Sequence, residues 1–145
     1  MLAIGEERKM AKAWEGRTDI IKWEVIEIEN YQKIKFDFIS SNSSCRQGFR
    51  IAIDFGDGKL KYEDIESKSF EIWMDNSPKS FVIECFSERG RLSLYNIWDE
   101  GSGSQSQCYT SGMLQQKEGK RIIYYCNDFG KETNFDKLVF SLEKI

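Results

Sequence analysis

The sequence contains no histidine, one proline (Pro78) and only four alanines. Without histidine, Ser-His and Cys-His nucleophile pairs are excluded, and a zinc site loses one of its two usual donors. The cysteines, at 45, 85, 108 and 126, form no CxxC pair, so the other common zinc signature is missing too. There is no GxSxG elbow and no P-loop, because Gly101-Ser102-Gly103-Ser104 lacks the following Gly-Lys-Ser/Thr that cradles phosphate. No apolar run approaches the roughly 18 residues a spanning helix needs. The opening Met-Leu-Ala-Ile-Gly-Glu-Glu-Arg-Lys has no apolar stretch of a secretory signal. Together these absences lead to the expectation of a cytoplasmic chain with reduced thiols, no cofactor, no membrane contact and no catalytic role.

The residues that are abundant point to strands. Sixteen isoleucines and 14% aromatics favour pleated surfaces over helices. Heavy isoleucine and lysine usage with little alanine suits an AT-rich gene, hence a bacterial or phage source. At 145 residues the chain is long enough to bury a core without a disulfide or a metal. The formal net charge is −3, with acidic and basic residues mixed throughout. No block is basic enough to draw in a phosphate backbone, which argues against nucleic acid as a partner.

The chain divides into an extension, residues 1–17, and a single all-β domain, residues 18–145. Within the extension, Met10, Ala13 and Trp14 fall at helical spacing and predict a short helix over 6–15, too short to stand undocked. From Asp19 onward the period is two. Ile21, Trp23 and Val25 alternate with Lys22 and Glu24, and a phase change at Val25–Ile26 predicts a β-bulge there. Asp57-Gly58, between Phe49–Phe55 and Leu60–Tyr62, predicts a two-residue hairpin. Ser87-Glu88-Arg89-Gly90 predicts another, and Glu118-Gly119 a third. Arg121–Cys126, apolar on both faces, predicts a central strand covered on both sides. About ten short strands with no intervening helix indicate an antiparallel β-sandwich of jelly-roll type, or alternatively an up-and-down β-barrel.

Three groups of residues stand out as candidate sites. Trp73, Tyr95 and Tyr125 fall on the strand parity opposite the face assigned inward, so they would form an exposed aromatic strip for a protein partner or a glycan. Asp99 and Glu100 open a Gly/Ser-rich loop, Asp99–Gln107, that would carry binding beside that strip. Asn127, Asp128, Asn134 and Asp136 supply the oxygen donors a hard cation takes, but their spacing fits no EF-hand and turn chemistry accounts for them. The resulting expectation is a binding or inhibitor protein acting on a protein partner, compatible with a homo-oligomer. The alternatives are a small-ligand carrier with a barrel cavity and a carbohydrate-binding module.

Overall fold

The computed structural model describes residues 7–14, 16–54, 56–129 and 134–145. Its strands are β1 (Lys9–Met10), β2 (Ile21–Glu27), β3 (Tyr31–Ser41), β4 (Arg46–Ala52), β5 (Gly58–Tyr62), β6 (Ile65–Ser67), β7 (Ser69–Trp73), β8 (Ser80–Ser87), β9 (Arg91–Asp99), β10 (Ser104–Gln105), β11 (Gly112–Glu118), β12 (Arg121–Asn127) and β13 (Leu138–Lys144). One turn of 3-10 helix spans Met74–Asn76. The strands form one antiparallel sheet in the order β6-β5-β8-β3-β13-β12-β11-β2-β9-β4-β7, with β1 on β2 and β10 on β9. The all-β antiparallel class is as the composition indicates. The order is not the sequential one of an up-and-down meander.

The sheet curls until its two end strands, β6 and β7, come together, so it is nearly closed into a barrel. Lys68 alone separates these strands in sequence. Tyr62 and Phe70 meet edge-on across the seam at 6.1 Å, and the Ile53 N–H donates to the Lys68 carbonyl at 2.9 Å. No helix among the described residues is long and apolar enough to cross a membrane.

The sheet turns its corner at β2. Ile21 pairs with Met113 of β11, the one pair between these strands, whereas Glu24–Glu27 pair with β9. The bulge that permits this lies at Lys22, because Lys9 and Met10 of β1 pair with Trp23 and Ile21 and skip it. The bulge is therefore three residues earlier than the alternation at Val25–Ile26 predicts. Its effect is to turn Glu24 to the inner face, opposite the buried Leu94.

Two of the three predicted hairpins do not form. β4 pairs with β7 and β9, whereas β5 pairs with β6 and β8, so the chain through Asp57-Gly58 crosses between layers. Gly56 supplies the left-handed residue at φ +82°, and the Asp57 carboxylate accepts the Ser87 hydroxyl and the Arg89 N–H, pinning the crossing to the end of β8. At Gly58 a Cβ would stand 1.7 Å from the Phe86 carbonyl, which explains glycine there independently of any hairpin. The turn at Ser87–Gly90 likewise joins strands of different layers, β8 and β9. Glu118-Gly119 does close the β11–β12 hairpin, with Gly119 at φ +65°.

The interior is a stack of rings. Phe49 lies 4.5 Å from Phe140 and 5.0 Å from Phe36, Tyr124 lies 5.3 Å from Phe140, and Phe36 lies 5.6 Å from Phe81, ring centre to ring centre. Each ring buried here contributes about 1.5–3 kcal/mol from area alone, with about 0.5–1.5 kcal/mol more per well-placed pair.

The helix expected near the N-terminus is absent from residues 7–14. The segment joins the start of β2 instead: β1 pairs there and the Ala11 N–H donates to the Ile20 carbonyl at 2.8 Å. This N-terminal arm covers the outer face of β11 and β12, where Ala11 and Trp14 pack with Ile20, Phe135, Leu114 and Tyr125. The strand Arg121–Cys126 is thus central, between β11 and β13, and covered on both sides as its composition predicts.

Candidate functional site

The predicted aromatic strip is on the outer face, as its parity indicates, but it is not exposed. Trp73 is 8% exposed and Tyr95 7%. The Arg46 guanidinium lies over the Trp73 ring at 4.4 Å, and Tyr95 packs on Trp23 at 4.7 Å while its hydroxyl accepts from Arg50 Nη1 at 2.9 Å. Trp73 stands opposite Gly48, where a Cβ would lie 2.3 Å from the Ile72 carbonyl oxygen. Parity determines a face but not what neighbouring arginine side chains will cover. Tyr125 is elsewhere: it belongs to the cluster under the arm, and its hydroxyl donates to Gln116 Oε1 at 3.0 Å. The three aromatics form no single surface.

The loop after β9 is tied down. Asp99 Oδ1 accepts the N–H groups of Gly101 at 2.7 Å and Gly103 at 3.1 Å, while Glu100 is exposed beside them. Further along, Ser104 bonds Glu71, Gln105 accepts from the Trp98 indole, and Gln107 donates to the Lys22 carbonyl.

The four Asx residues are dispersed. Asn127 is buried and donates to the Thr110 carbonyl at 2.9 Å, Asp136 accepts from Asn42 at 2.8 Å, and Asn134 is exposed. Among the described residues no group of three or more histidine, cysteine, aspartate or glutamate side chains is placed to hold a metal ion. Asp128 is the one with a site around it. It follows β12 and is 3% exposed, at the polar end of the barrel. Its Oδ2 accepts from Ser43 Oγ at 3.1 Å and from Gln47 Nε2 at 2.9 Å, and its Oδ1 accepts the Phe129 N–H at 2.7 Å. All three of these donors are neutral.

Above this carboxylate opens a pocket of about 470 Å³, walled by the 41–45 loop, Lys137 and Phe129. Phe129 is 42% exposed and rests against Trp98, ring centres 6.2 Å apart. The Cys108 thiol donates to the Asp128 carbonyl at 3.3 Å, which places the next residue, the 71% exposed Tyr109, in the same neighbourhood. Gln47, 3% exposed, leaves its Oε1 without a partner behind the carboxylate. The signal for Gln47 was present in the sequence: in Arg46–Ala52 it shares parity with Phe49 and Ile51, a polar residue on an inward row.

No family model matches the chain, and no curated protein or solved structure is similar to it.

Two other places compare with the Asp128 pocket. A larger groove, about 590 Å³, runs between β5, β6 and the end of β8. In it Lys59 sits 2.5 Å from Glu66 and over the Phe86 ring, and Lys68 donates to the Gly58 carbonyl. Inside the barrel, Glu24 is wholly buried and accepts from Arg8 Nε at 2.6 Å and Nη2 at 3.0 Å, the Tyr124 hydroxyl at 2.7 Å, Gln115 Nε2 at 3.3 Å and the Val25 N–H at 3.0 Å. Burial, reinforced by the Glu24 charge, holds the Tyr124 hydroxyl far above the usual phenol range. Burial also pushes the Cys85 thiol up to about 12 and raises Cys126, the latter with help from Asp128. These two thiols are unreactive packing groups.

Proposed function

We propose that the protein is a non-catalytic binding protein and that the pocket above Asp128 takes a polyhydroxylated ligand, a glycan. The observation that carries this reading is a buried carboxylate flooring an open polar pocket with a half-exposed phenyl ring at its rim. A sugar offers hydroxyl donors to the carboxylate and an apolar ring face to the phenyl group. The serine and asparagine side chains of the 41–44 stretch supply the neutral donors and acceptors that fix orientation. The carrier alternative finds less support, because the stacked rings of Phe36, Phe49, Phe81, Phe140 and Tyr124 occupy the barrel centre.

Glycan-array screening followed by titration calorimetry tests the proposal. A binding glycan is expected, with affinity lost at least tenfold in Phe129→Ala and in Asp128→Asn. Absence of any binding glycan, or binding indifferent to both substitutions, overturns it. A stable complex with a protein, formed without glycan and abolished by the same two substitutions, would instead make the pocket a protein interface.

A further inference from the structure

Glu24 occupies an unusual position for a carboxylate. The β2–β11 ladder consists of the single pair Ile21–Met113, so beyond it the two strands part, and Glu24 lies inside that parting. Three of its partners belong to the barrel wall: Tyr124 on β12, Gln115 on β11 and the Val25 N–H on β2. None of the three belongs to the arm. The cation, however, comes from the arm. The Arg8 side chain is 42% exposed whereas the Glu24 side chain is 0% exposed, so a partly solvent-exposed side chain delivers its guanidinium to a wholly buried carboxylate.

Among the described residues, the arm pairs with β2 over two residues, makes one further backbone bond from Ala11, lays Met10 against the main core and Lys9 over the Trp23 ring, and contributes Ala11 and Trp14 to the small outer cluster. Two buried indole nitrogens at this contact, Trp14 Nε1 and Trp23 Nε1, have no hydrogen-bond partner. A buried carboxylate that has lost its cation is strongly unfavourable. A planar fork of N–H donors matches the two carboxylate oxygens as an ammonium ion does not.

We propose that the Glu24 slot is a guanidinium-binding site whose resident occupant is the chain's own Arg8, and that a guanidinium-bearing ligand fills the slot once the Arg8 side chain is withdrawn from it. The ligand is a free guanidino compound or an arginine side chain presented by a short peptide; both offer the same head group. This site is separate from the Asp128 pocket, so either reading can fail without the other.

The test uses Arg8→Ala in the full chain, with thermal unfolding followed in millimolar methylguanidinium chloride. Controls are the same concentrations of methylammonium chloride, which has the charge without the fork, and of potassium chloride. The expected result is a rise in Tm of about 3 °C or more for Arg8→Ala in methylguanidinium alone, a ligand-linkage effect absent from the unsubstituted protein. The rise should vanish in the double variant Arg8→Ala/Glu24→Gln. Equal shifts in all three salts, or a rise that survives Glu24→Gln, overturn the proposal. If Arg8→Ala does not fold in buffer, it is refolded with and without methylguanidinium. Structure recovered only with the ligand supports the site, and an unfolded chain in both overturns it. Repeating the titration with the peptide Gly-Arg-Gly distinguishes the sources: an equal shift admits an arginine side chain, and a shift with methylguanidinium alone restricts the slot to the free compound.

Discussion

Glu24 and Asp128 are both buried carboxylates of the same barrel, and each accepts from a hydroxyl, an amide and a backbone N–H, but Glu24 has a guanidinium as well. Glu24 faces the core and is neutralised by a bidentate guanidinium brought in from the arm. Asp128 is held by a hydroxyl, an amide and a backbone N–H beside an open pocket whose wall includes Lys137. The two proposed sites rest on that difference. Neutral donors hold a carboxylate in place and leave its field intact, whereas a guanidinium cancels the field and makes the anion dependent on that one partner.

The comparison predicts unequal consequences. Arg8→Ala should destabilise the fold by about 3 kcal/mol, the low end for a broken buried pair because the Arg8 side chain is 42% exposed. Urea unfolding reads this as a lower midpoint, and a loss below about 0.5 kcal/mol would mean that water already serves Glu24. Tyr124→Phe removes one bond to the same carboxylate at 2.7 Å and should reduce stability by about 2 kcal/mol in the same assay. Asp128→Asn keeps the shape of the polar end and should change stability by only about 1 kcal/mol, while abolishing ligand binding. An equal loss for Asp128→Asn and Arg8→Ala would erase the distinction. The smallest effect is alkaline. Cys85, with an ordinary value of 9.0, is raised in the folded state to about 12 by burial. Stability from the protonated thiol is therefore complete below about pH 9 and is lost as pH rises toward 12. The chain should unfold earlier in alkali than a Cys85→Ala variant does relative to its own neutral-pH stability, and iodoacetamide should label the half-buried Cys45 and Cys108 before Cys85 and Cys126.

Strands were legible in the sequence because alternation is a local property: the rows Ile34-Phe36-Phe38 and Phe81-Ile83-Cys85 are inward as their period predicts. Pairing was not legible. Asp57-Gly58 and Ser87–Gly90 mark where the chain turns, but whether it returns beside itself or crosses to the other layer depends on the Asp57–Ser87 contact, made between residues 30 apart in sequence. The same limit applies to the sites. Asp128 was a candidate for its oxygen donors, and its real partners, Ser43 and Gln47, arrive from the far end of the chain. Glu24 read as an outward acid because one skipped residue, Lys22, reverses the face of everything after it. Trp73 and Tyr95 were assigned the right face and the wrong exposure, since coverage by Arg46 and stacking on Trp23 belong to other strands.

The ends of the sheet, β6 and β7, are consecutive in the chain, and Lys68 is the one residue between them. The barrel is therefore a ribbon whose two margins are fastened by a covalent clasp. Neither margin can peel away without dragging the other, so fraying from an edge is suppressed although the ladder between them is never completed. A tryptic cut after Lys68 would free the two already unpaired strand edges from each other, and open strand edges are templates for recruiting further chains.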